Sequence, residues 1–366
     1  MKIDFANLQY QHTLYQQEIE EALLKVARNC DFIMGDEVQE LEKQLENFTG
    51  TRYAITCSSG TDALLLAMMA LDIKEGDEVI TTPFTFIATA ETIAFLGAKP
   101  VFVDIDKKTY NIDPSKIEEK ITPKTKAIIP VSLYGQPSDI DTIQEIAKKY
   151  NLKVIIDGAQ SFGSTYNGKT DSSLGDISCT SFFPAKPLGC YGDGGAIFTN
   201  NEQLADKLKS LRVHGQTKRY YHQYIGLGGR LDTIQAAVLN VKLKYYEKDL
   251  ALRREVAEKY TKILKHQANI ILPVIAKNVI STWAQYSIRV QNRNDVQEAL
   301  KRAGVPTVVH YPMPLHLQAC FIYLGYQKGT FPAAEQVSHE IMSLPMNSYI
   351  KDKEIKYIAE NLKAIK

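Results

Sequence analysis

The sequence contains few cysteines, and it lacks the residue spacings that usually bind metal ions. Five cysteines occur in 366 residues, and no CxxC pair is among them. The seven histidines form neither an HxxxH nor an HExxH motif. These absences exclude the common zinc-site patterns. Thiols without close partners are typical of a reducing compartment, so we expect a cytoplasmic protein with free cysteines at Cys30, Cys57, Cys179, Cys190 and Cys320.

An excess of charge and long apolar runs are also missing. Lys and Arg number 43 against 42 Asp and Glu, which leaves a formal net charge of +1. No global field therefore favours nucleic acid. No apolar run reaches the roughly 20 residues that span a bilayer, and the segment Met1–Phe5 lacks the charged-then-apolar pattern of a secretory signal. We expect a protein that binds neither nucleic acid nor a membrane.

The chain does have a repeated alternation of short apolar runs and helical segments. The runs are apolar throughout, which is typical of strands whose two faces are both covered by helices. This order predicts a mostly parallel, doubly wound α/β sheet. The predicted strands of this region are Tyr53–Cys57, Glu78–Thr82, Pro100–Asp104, Lys126–Val131 and Lys153–Asp157, and the predicted helices are Leu14–Arg28, Val38–Phe48, Thr61–Leu71, Ala88–Leu96, Pro114–Ile121 and Ile140–Tyr150.

The chain is too long for one compact core, so two domains are expected. A helical stretch rich in Ala, Leu, Lys and Glu runs from Arg230 to about His266 and is typical of a segment that joins two domains. We therefore predict a large domain over residues 1–250 and a smaller C-terminal α+β domain over residues 251–366. The elements predicted in the second domain are the strand Gln285–Val290, the helix Asp295–Arg302 and the strand Val305–Tyr311.

One lysine, Lys186, follows a predicted strand instead of lying on a solvated helix face. The run Ile177–Phe183 leads into a loop in which Pro184 and Pro187 stiffen the backbone. Partial desolvation at such a place lowers the pKa of an ammonium group, and the free amine can then form a Schiff base. This segment alone is also compatible with a lysine at an ordinary strand-to-turn boundary.

Three further strand ends carry residues that suit a ligand, because open α/β sheets bind ligands at the carboxyl ends of their strands. The turn Ser58–Asp62 opens an apolar helix and suits a phosphate, although Ser59 or Thr61 could simply cap that helix. Asp157 ends an apolar run, where a buried carboxylate calls for a cation. It could equally cap the next segment. Phe86 could cover a planar ring, but a single aromatic is more often part of the core.

Together these elements meet the needs of pyridoxal phosphate: an amine for the aldehyde, an anion for the ring nitrogen, a phosphate cradle and a stacking surface. At this level the chain resembles, over nearly its full length, the DegT/DnrJ/EryC1/StrS family of fold-type I pyridoxal-phosphate aminotransferases that act on nucleotide-linked keto-sugars. The segments that carry the resemblance are Ser58–Leu64, Gly76–Pro83, Asp157–Gln160, Ser181–Lys186 and Gly229–Ala237.

The resemblance implies the fold and the cofactor contacts. It implies a large domain with the doubly wound sheet, a smaller C-terminal domain, and a homodimer with shared active sites. Lys186 would bind the cofactor covalently and then move protons, and Asp157 would keep the ring nitrogen protonated. The remaining cofactor contacts that it implies are Gln160 near the ring hydroxyl, Phe86 stacked on the ring, and Gly60, Thr61 and Ser181 around the phosphate.

The resemblance also implies a substrate. The runs Lys186–Thr199 and Ala303–Pro312 are most similar to a branch that aminates C3 of UDP-2-acetamido-2-deoxy-3-oxo-glucuronate for bacterial surface polysaccharide (O-antigen), with L-glutamate as the amino donor. Arg230, His310 and Tyr311 would then reach the sugar. An arginine suits a carboxylate because its guanidinium can form two parallel hydrogen bonds. Arg230 could instead be an ordinary arginine at a helix start, and His310 an ordinary histidine at a strand end.

One position departs from the family pattern, and two other functions stay open. The family usually has Asn, which contacts the cofactor phosphate across subunits, where this chain has Gly228. That departure is compatible with a catalytically silent sugar-nucleotide binder or regulatory protein. Within the enzyme class, the alternative substrate is a neutral dTDP-linked 3-keto-6-deoxyhexose. The sister dehydratases carry His in place of Lys186, and a NAD-dependent dehydrogenase is disfavoured because no glycine fingerprint follows the first strand.

Overall fold

A seven-stranded sheet forms the centre of the computed structural model, which describes residues 3–365. The fifteen strands of the described chain are β1 Tyr53–Cys57, β2 Glu78–Thr81, β3 Lys99–Phe102, β4 Thr125–Ile128, β5 Lys153–Asp157, β6 Thr165–Tyr166, β7 Lys169–Thr170, β8 Ile177–Ser181, β9 Gly195–Thr199, β10 Gln216–Lys218, β11 Tyr221–His222, β12 Ile270–Ile271, β13 Val279–Ile280, β14 Tyr286–Val290 and β15 Ile341–Leu344. The central sheet has the order β1-β9-β8-β5-β4-β2-β3.

Eleven α-helices surround the sheets in the same part of the chain. They are α1 Leu8–Asn29, α2 Asp36–Thr49, α3 Gly60–Ala70, α4 Ala88–Phe95, α5 Ile140–Tyr150, α6 Glu202–Leu211, α7 Thr233–Leu243, α8 Tyr246–Leu264, α9 Arg293–Arg302, α10 Pro332–Glu340 and α11 Asp352–Ala364. Across residues 3–365, no helix combines the length and the apolar character needed to cross a bilayer.

The central sheet is parallel except for β9, which confirms the predicted fold class. β5 pairs in parallel with β4 and β8, and β2 pairs in parallel with β3 and β4. β9 runs antiparallel to both of its neighbours, β1 and β8. The carboxyl ends of β1, β2, β5 and β8 therefore lie at one edge of the sheet, together with the first residue of β9.

Apolar side chains cover both faces of this sheet, which is why its strands are apolar throughout. Successive residues of β1 point to opposite faces: Ile55 packs in the core formed with α3 and α6, and Ala54 packs in the core formed with α2 and α7. A third core lies against α5 and contains Val154 and Ile156 of β5. Burial on both faces holds the strand ends that carry the site in fixed positions.

The helical stretch before the second domain is a pair of helices, α7 and α8. Early residues of α8, Tyr246 and Leu250, belong to a core of the large sheet. Later ones, Val256 and Tyr260, belong to the core of the C-terminal region, which also contains residues of β14, β15 and α11. α8 thus leaves one core and enters another, and the division at residue 250 remains a prediction.

Two predicted elements differ from those observed. Pro114–Ile121 forms two short 3-10 turns instead of one α-helix. Val305–Tyr311 is not a strand: it contributes only an isolated bridge between Val308 and Ser343. Pro306 has no N–H to donate to a strand ladder, and the chain beyond Val308 turns toward the edge of the central sheet.

Candidate active site

A turn of small residues connects β1 to α3 at the edge where the strand ends meet. Ser59 caps α3, because its Oγ accepts a 3.0 Å hydrogen bond from the backbone N–H of Asp62. The N–H groups of Gly60 and Thr61 lie in the first helical turn, where no carbonyl of the helix can accept from them. The turn therefore caps the helix and also offers donors to an anion, so the two readings of the sequence are compatible.

Glycine is required on both sides of this turn because the backbones approach closely. A Cβ atom on Gly60 would lie 2.6 Å from Cβ of Ser181, at the end of β8. A Cβ atom on Gly195, the first residue of β9, would lie 2.4 Å from the carbonyl oxygen of Ser59. The result is a narrow cradle in which the N-terminus of α3 and the end of β8 face the same space.

Asp157 lies at the end of β5, buried to 5% exposure. Its Oδ2 accepts a 2.7 Å hydrogen bond from Oγ1 of Thr89, and its Oδ1 accepts a 3.2 Å bond from the backbone N–H of Ala159. Burial raises the pKa of this carboxyl, and the two donors and the charge of Lys186 oppose that rise. A cation held against Asp157 would stabilise its ionised form.

Lys186 lies in a tight turn after β8, where its backbone N–H donates a 2.8 Å bond to the carbonyl of Phe183. Burial lowers the pKa of its amine to about 8, and the charge of Asp157 acts in the opposite direction. The loop is anchored from α7, because Nζ of Lys242 donates a 2.7 Å bond to the carbonyl of Gly189. An amine with this pKa is partly neutral near physiological pH and can act as a nucleophile or a base.

The segment around His310 and Tyr311 reaches the same edge from the C-terminal region. The Tyr311 hydroxyl accepts a 3.2 Å bond from Nε2 of Gln160, whose Oε1 accepts a 2.7 Å bond from the backbone N–H of Tyr134. Burial and the charge of Asp157 raise the pKa of Tyr311. Burial and the charge of Lys186 lower the pKa of His310 to about 4, so its imidazole is neutral at pH 7.

Phe86 has an exposed ring, unlike its neighbour Phe84 in the core. Its side chain is 55% exposed, and its ring centroid lies 6.1 Å from that of Tyr311 at an interplanar angle of 38°. A large aromatic left open next to buried polar groups offers a surface on which a flat ring can stack.

Arg230 lies beside the cradle but is not bonded to Lys186 or Asp157. The carbonyl of its neighbour Gly229 accepts a 3.1 Å bond from the N–H of Ser58. Within residues 3–365 the buried Nε of Arg230 has no acceptor. A Cβ atom on Gly228 would lie 3.1 Å from the ring of His214, so this imidazole occupies the space beside the glycine.

These residues fit pyridoxal phosphate. The narrow cradle suits its phosphate, and the exposed face of Phe86 suits its ring. Within residues 3–365 no basic side chain forms a salt bridge with the buried carboxylate of Asp157, and a protonated ring nitrogen would supply such a partner. Lys186 has a lowered pKa, which suits attack on an aldehyde. In the described part of the chain, no group of three or more His, Cys, Asp and Glu side chains could hold a metal ion.

Sequence reasoning missed two residues that shape this site. Thr89 is separated from Asp157 by 68 positions, and only folding brings them together. A weak signal existed, because Thr89 is a polar residue three positions after Phe86 in the mostly apolar helix α4. Tyr134 holds both Gln160, through its N–H, and the carbonyl of His310, through its hydroxyl. No local pattern pointed to Tyr134.

Comparison with known proteins gives consistent results. A model of the DegT/DnrJ/EryC1/StrS aminotransferase family matches residues 14–363. The chain is 51% identical over 360 residues to the UDP-2-acetamido-2-deoxy-3-oxo-D-glucuronate aminotransferase of Pseudomonas aeruginosa, which covers 98% of this chain and 99% of that protein. It is 43% identical over 358 residues to the dTDP-3-amino-3,6-dideoxy-alpha-D-galactopyranose transaminase of Aneurinibacillus thermoaerophilus, with 98% of each chain covered.

A solved structure agrees with the fold. The crystal structure of NtdA from Bacillus subtilis with bound cofactor PMP matches with a TM-score of 0.91 and 33% sequence identity. The match covers 99% of this chain and 84% of NtdA.

Proposed function

The chain belongs to the DegT/DnrJ/EryC1/StrS aminotransferase family, and on that premise we propose that it transfers an amino group from L-glutamate to C3 of UDP-2-acetamido-2-deoxy-3-oxo-glucuronate. It is an aminotransferase, and its cofactor is pyridoxal phosphate. The observation that carries the proposal is the meeting of Lys186, whose amine has a lowered pKa, and the buried carboxylate of Asp157 at the carboxyl ends of β8 and β5, which are neighbours in the sheet.

Bound pyridoxal phosphate supplies an aldehyde that takes up the amino group and a ring that withdraws electrons from the bond to be broken. Asp157 supplies the negative charge for the ring nitrogen, and the bonds from Thr89 and Ala159 hold its two oxygens in place. Lys186 would hold the aldehyde through its amine. Its Nζ, when free, would take a proton from the donor and return it, because a pKa of about 8 lies near neutral pH.

The choice of an acidic sugar depends on Arg230. Within the described residues no carboxylate forms a salt bridge with Arg230, and its guanidinium is only partly buried, so it is available to a ligand carboxylate. The Pseudomonas relative is named for an oxo-glucuronate, and it shares 51% of its residues with this chain. These two observations support the glucuronate over a neutral sugar.

A dTDP-linked 3-keto-6-deoxyhexose is the second candidate substrate. It is favoured by the 43% identity to the Aneurinibacillus transaminase, whose name describes a dTDP-3-amino-3,6-dideoxy sugar. A catalytically silent regulatory protein is not supported, because the chain belongs to an aminotransferase family and keeps Lys186 where the catalytic amine is needed.

We also propose a homodimer in a reducing, cytoplasmic compartment, where the product would enter O-antigen synthesis. Exposed apolar residues on α1 and on the loop after it support contact with a second copy of the chain, because an apolar surface of this kind is normally covered by a partner. They are Leu14, Leu24, Phe32 and Ile33. All five cysteines are free, and Cys30 and Cys320 are exposed, which suits a reducing compartment.

The test is turnover of purified holoenzyme with L-glutamate and each keto-sugar, together with borohydride reduction and peptide mapping. We expect preference for the UDP-linked acid, release of 2-oxoglutarate, and cofactor fixed on Lys186. Preference for the dTDP-linked neutral sugar would refute the substrate assignment. Cofactor fixed elsewhere, or on no residue, would refute the role of Lys186. The variant Lys186→Ala is the matched control for both measurements.

A further inference from the structure

A second buried carboxylate, Asp171, lies beneath the turn that follows Asp157, and the chemistry above does not use it. Asp171 is 1% exposed. Its Oδ2 accepts a hydrogen bond from Oγ of Ser161. The backbone N–H of Ser161 bonds to the carbonyl of Gly158, which closes a four-residue turn directly after Asp157. The carboxyl of Asp171 therefore holds Ser161, at the end of a turn that begins directly after Asp157. Asp157 is the carboxylate proposed to face the cofactor.

Both ends of the turn, Gly158 and Ser161, lie close to the carboxyl of Asp171. A Cβ atom on Gly158 would lie 3.3 Å from Oδ2 of Asp171 and 3.2 Å from Oγ of Ser161. The N–H of Ser161 donates a 3.1 Å bond to the carbonyl of Gly158, and Oγ1 of Thr180 donates another of 3.1 Å to the same oxygen. The N–H of Asp171 donates a 3.0 Å bond to the carbonyl of Ser164. A shift of Asp171 would thus move the turn.

Burial of the Asp171 carboxyl costs free energy, and no ion pair among the described residues offsets that cost. Within residues 3–365 no basic side chain forms a salt bridge with Asp171, and the groups that act on its carboxyl are the hydroxyls of Ser161 and Ser132. Burial raises its pKa to about 6, the hydroxyls of Ser161 and Ser132 oppose the rise, and the charge of Asp157 adds to it. Buried charges without partners usually destabilise a fold. Folding alone therefore gives little reason for an aspartate here.

We propose that Asp171 is a positioning residue for the cofactor. Asp171 accepts a hydrogen bond from Ser161 and thereby fixes the turn Gly158–Ser161. That turn fixes the positions of Asp157, which directly precedes it, and of Gln160, which lies within it. Asp157 accepts from the N–H of Ala159, so its side chain is tied to the same turn. The inference rests on the proposed placement of Asp157 against the cofactor ring.

The test uses Asp171→Ala, Ser161→Ala and the double variant. Three properties are measured: the dissociation constant of pyridoxal phosphate, the visible circular dichroism band of the bound cofactor, and the unfolding temperature of the cofactor-free protein. Each single variant should weaken cofactor binding about tenfold, the size of one lost hydrogen bond to a carboxylate. The double variant should bind no more weakly than Asp171→Ala, because both changes remove the same contact.

Two further variants separate positioning from folding. Asp171→Asn keeps an acceptor for Ser161 and should restore most of the affinity and of the dichroism band. If Asp171→Ala fails to fold, Asp171→Asn and Ser161→Ala still decide the question. Asp104→Ala is the matched control, because Asp104 is also buried but accepts from the N–H groups of Ala333 and Ala334 instead. It should lower the unfolding temperature and leave the dichroism band of the holoenzyme unchanged.

The inference would be overturned if Ser161→Ala and Asp171→Ala bound cofactor with wild-type affinity and dichroism. It would also be overturned if Asp171→Ala matched Asp104→Ala in every property, since its role would then be structural only. Failure of the proposed function would give a different result: in the wild-type protein, borohydride reduction would not fix the cofactor on Lys186.

Discussion

Oγ1 of Thr89 donates a 2.7 Å hydrogen bond to Oδ2 of Asp157, and this bond joins the first turn of α4 to the end of β5. The bond favours the ionised form of a carboxyl whose pKa burial raises. The helix that follows β2 therefore contributes directly to the ionisation of Asp157, the carboxylate that we propose faces the cofactor ring. Thr89 also shares a 3.0 Å bond with Thr85, so its side chain is held from both sides.

Replacement of Thr89 by Val should weaken the site without changing the size of the side chain. Loss of the donor raises the pKa of Asp157 further, so less of it is ionised at a given pH. We expect kcat/KM to fall about tenfold, from the loss of one hydrogen bond to a charged group, and the acid limb of the pH–rate profile to move to higher pH. Thr89→Ser keeps the hydroxyl and is the control. A Val variant with the wild-type profile would contradict this role.

Much of the fold could be predicted because each strand of the central sheet is a short apolar run that is visible in the sequence. An apolar run that ends in a carboxylate, as at Asp157, predicts both a buried strand and a functional end, and β5 has the predicted bounds. The alternation of such runs with helices then predicts the parallel sheet. The antiparallel direction of β9 could not be predicted, because its residues are as apolar as those of the strands that run parallel to one another.

The rest depended on contacts between distant residues. Val305–Tyr311 has the composition of a strand, yet the hydroxyl of Tyr134 holds the carbonyl of His310, and Nδ1 of His310 lies 3.1 Å from Oγ of Ser343. The contact with Tyr134 draws the end of the segment toward the site, and the contacts with Ser343 hold the segment beside β15 only at isolated points. Thr89 has only a weak local signal and Asp171 has none, because the residues that they contact are brought to them by the fold.

The lowered pKa of Lys186 predicts how fast the cofactor-free protein takes up pyridoxal phosphate at different pH values. Only the neutral amine attacks the aldehyde, so uptake should slow as pH falls below about 8 and level off above it. Stopped-flow absorbance of the cofactor band measures this rate. A midpoint near the ordinary lysine value of 10.5 would show that the amine is not desolvated. Lys186→Ala is the control for uptake at other sites.

Replacement of Gly195 by Ala should close the phosphate cradle. The added Cβ would lie 2.4 Å from the carbonyl oxygen of Ser59, a backbone atom that cannot move without shifting the start of α3. We expect a loss of roughly 1–3 kcal/mol in the free energy of unfolding and weaker cofactor binding, measured by denaturant unfolding and by cofactor titration. In the control Gly192→Ala the nearest atoms belong to the flexible side chain of Gln235. Equal effects of the two substitutions would argue against the cradle.

The anchor from Lys242 should matter to the loop that carries Lys186. Nζ of Lys242 donates to the carbonyl of Gly189 and lies 5.0 Å from the ring centroid of Tyr191. Lys242→Met keeps the length of the side chain but removes the donor, so we expect a several-fold fall in kcat with little change in KM for the sugar. Steady-state kinetics measures both constants. An unchanged kcat, with the unfolding temperature also unchanged, would show that the loop holds its shape without this bond.

Arg230 gives the sharpest test of the substrate. If its guanidinium binds the carboxylate of the sugar, Arg230→Gln should raise KM for the UDP-linked acid by about 10- to 100-fold, in the range of a lost hydrogen bond to a charged group. Arg230→Lys should recover only part of that loss, because lysine cannot form two parallel bonds. KM for the neutral dTDP-linked sugar should stay constant in both variants, as should all constants in the control Arg302→Gln, which changes an exposed arginine of α9. An equal rise in KM for the acidic and neutral sugars would mean that Arg230 does not bind the carboxylate of the sugar.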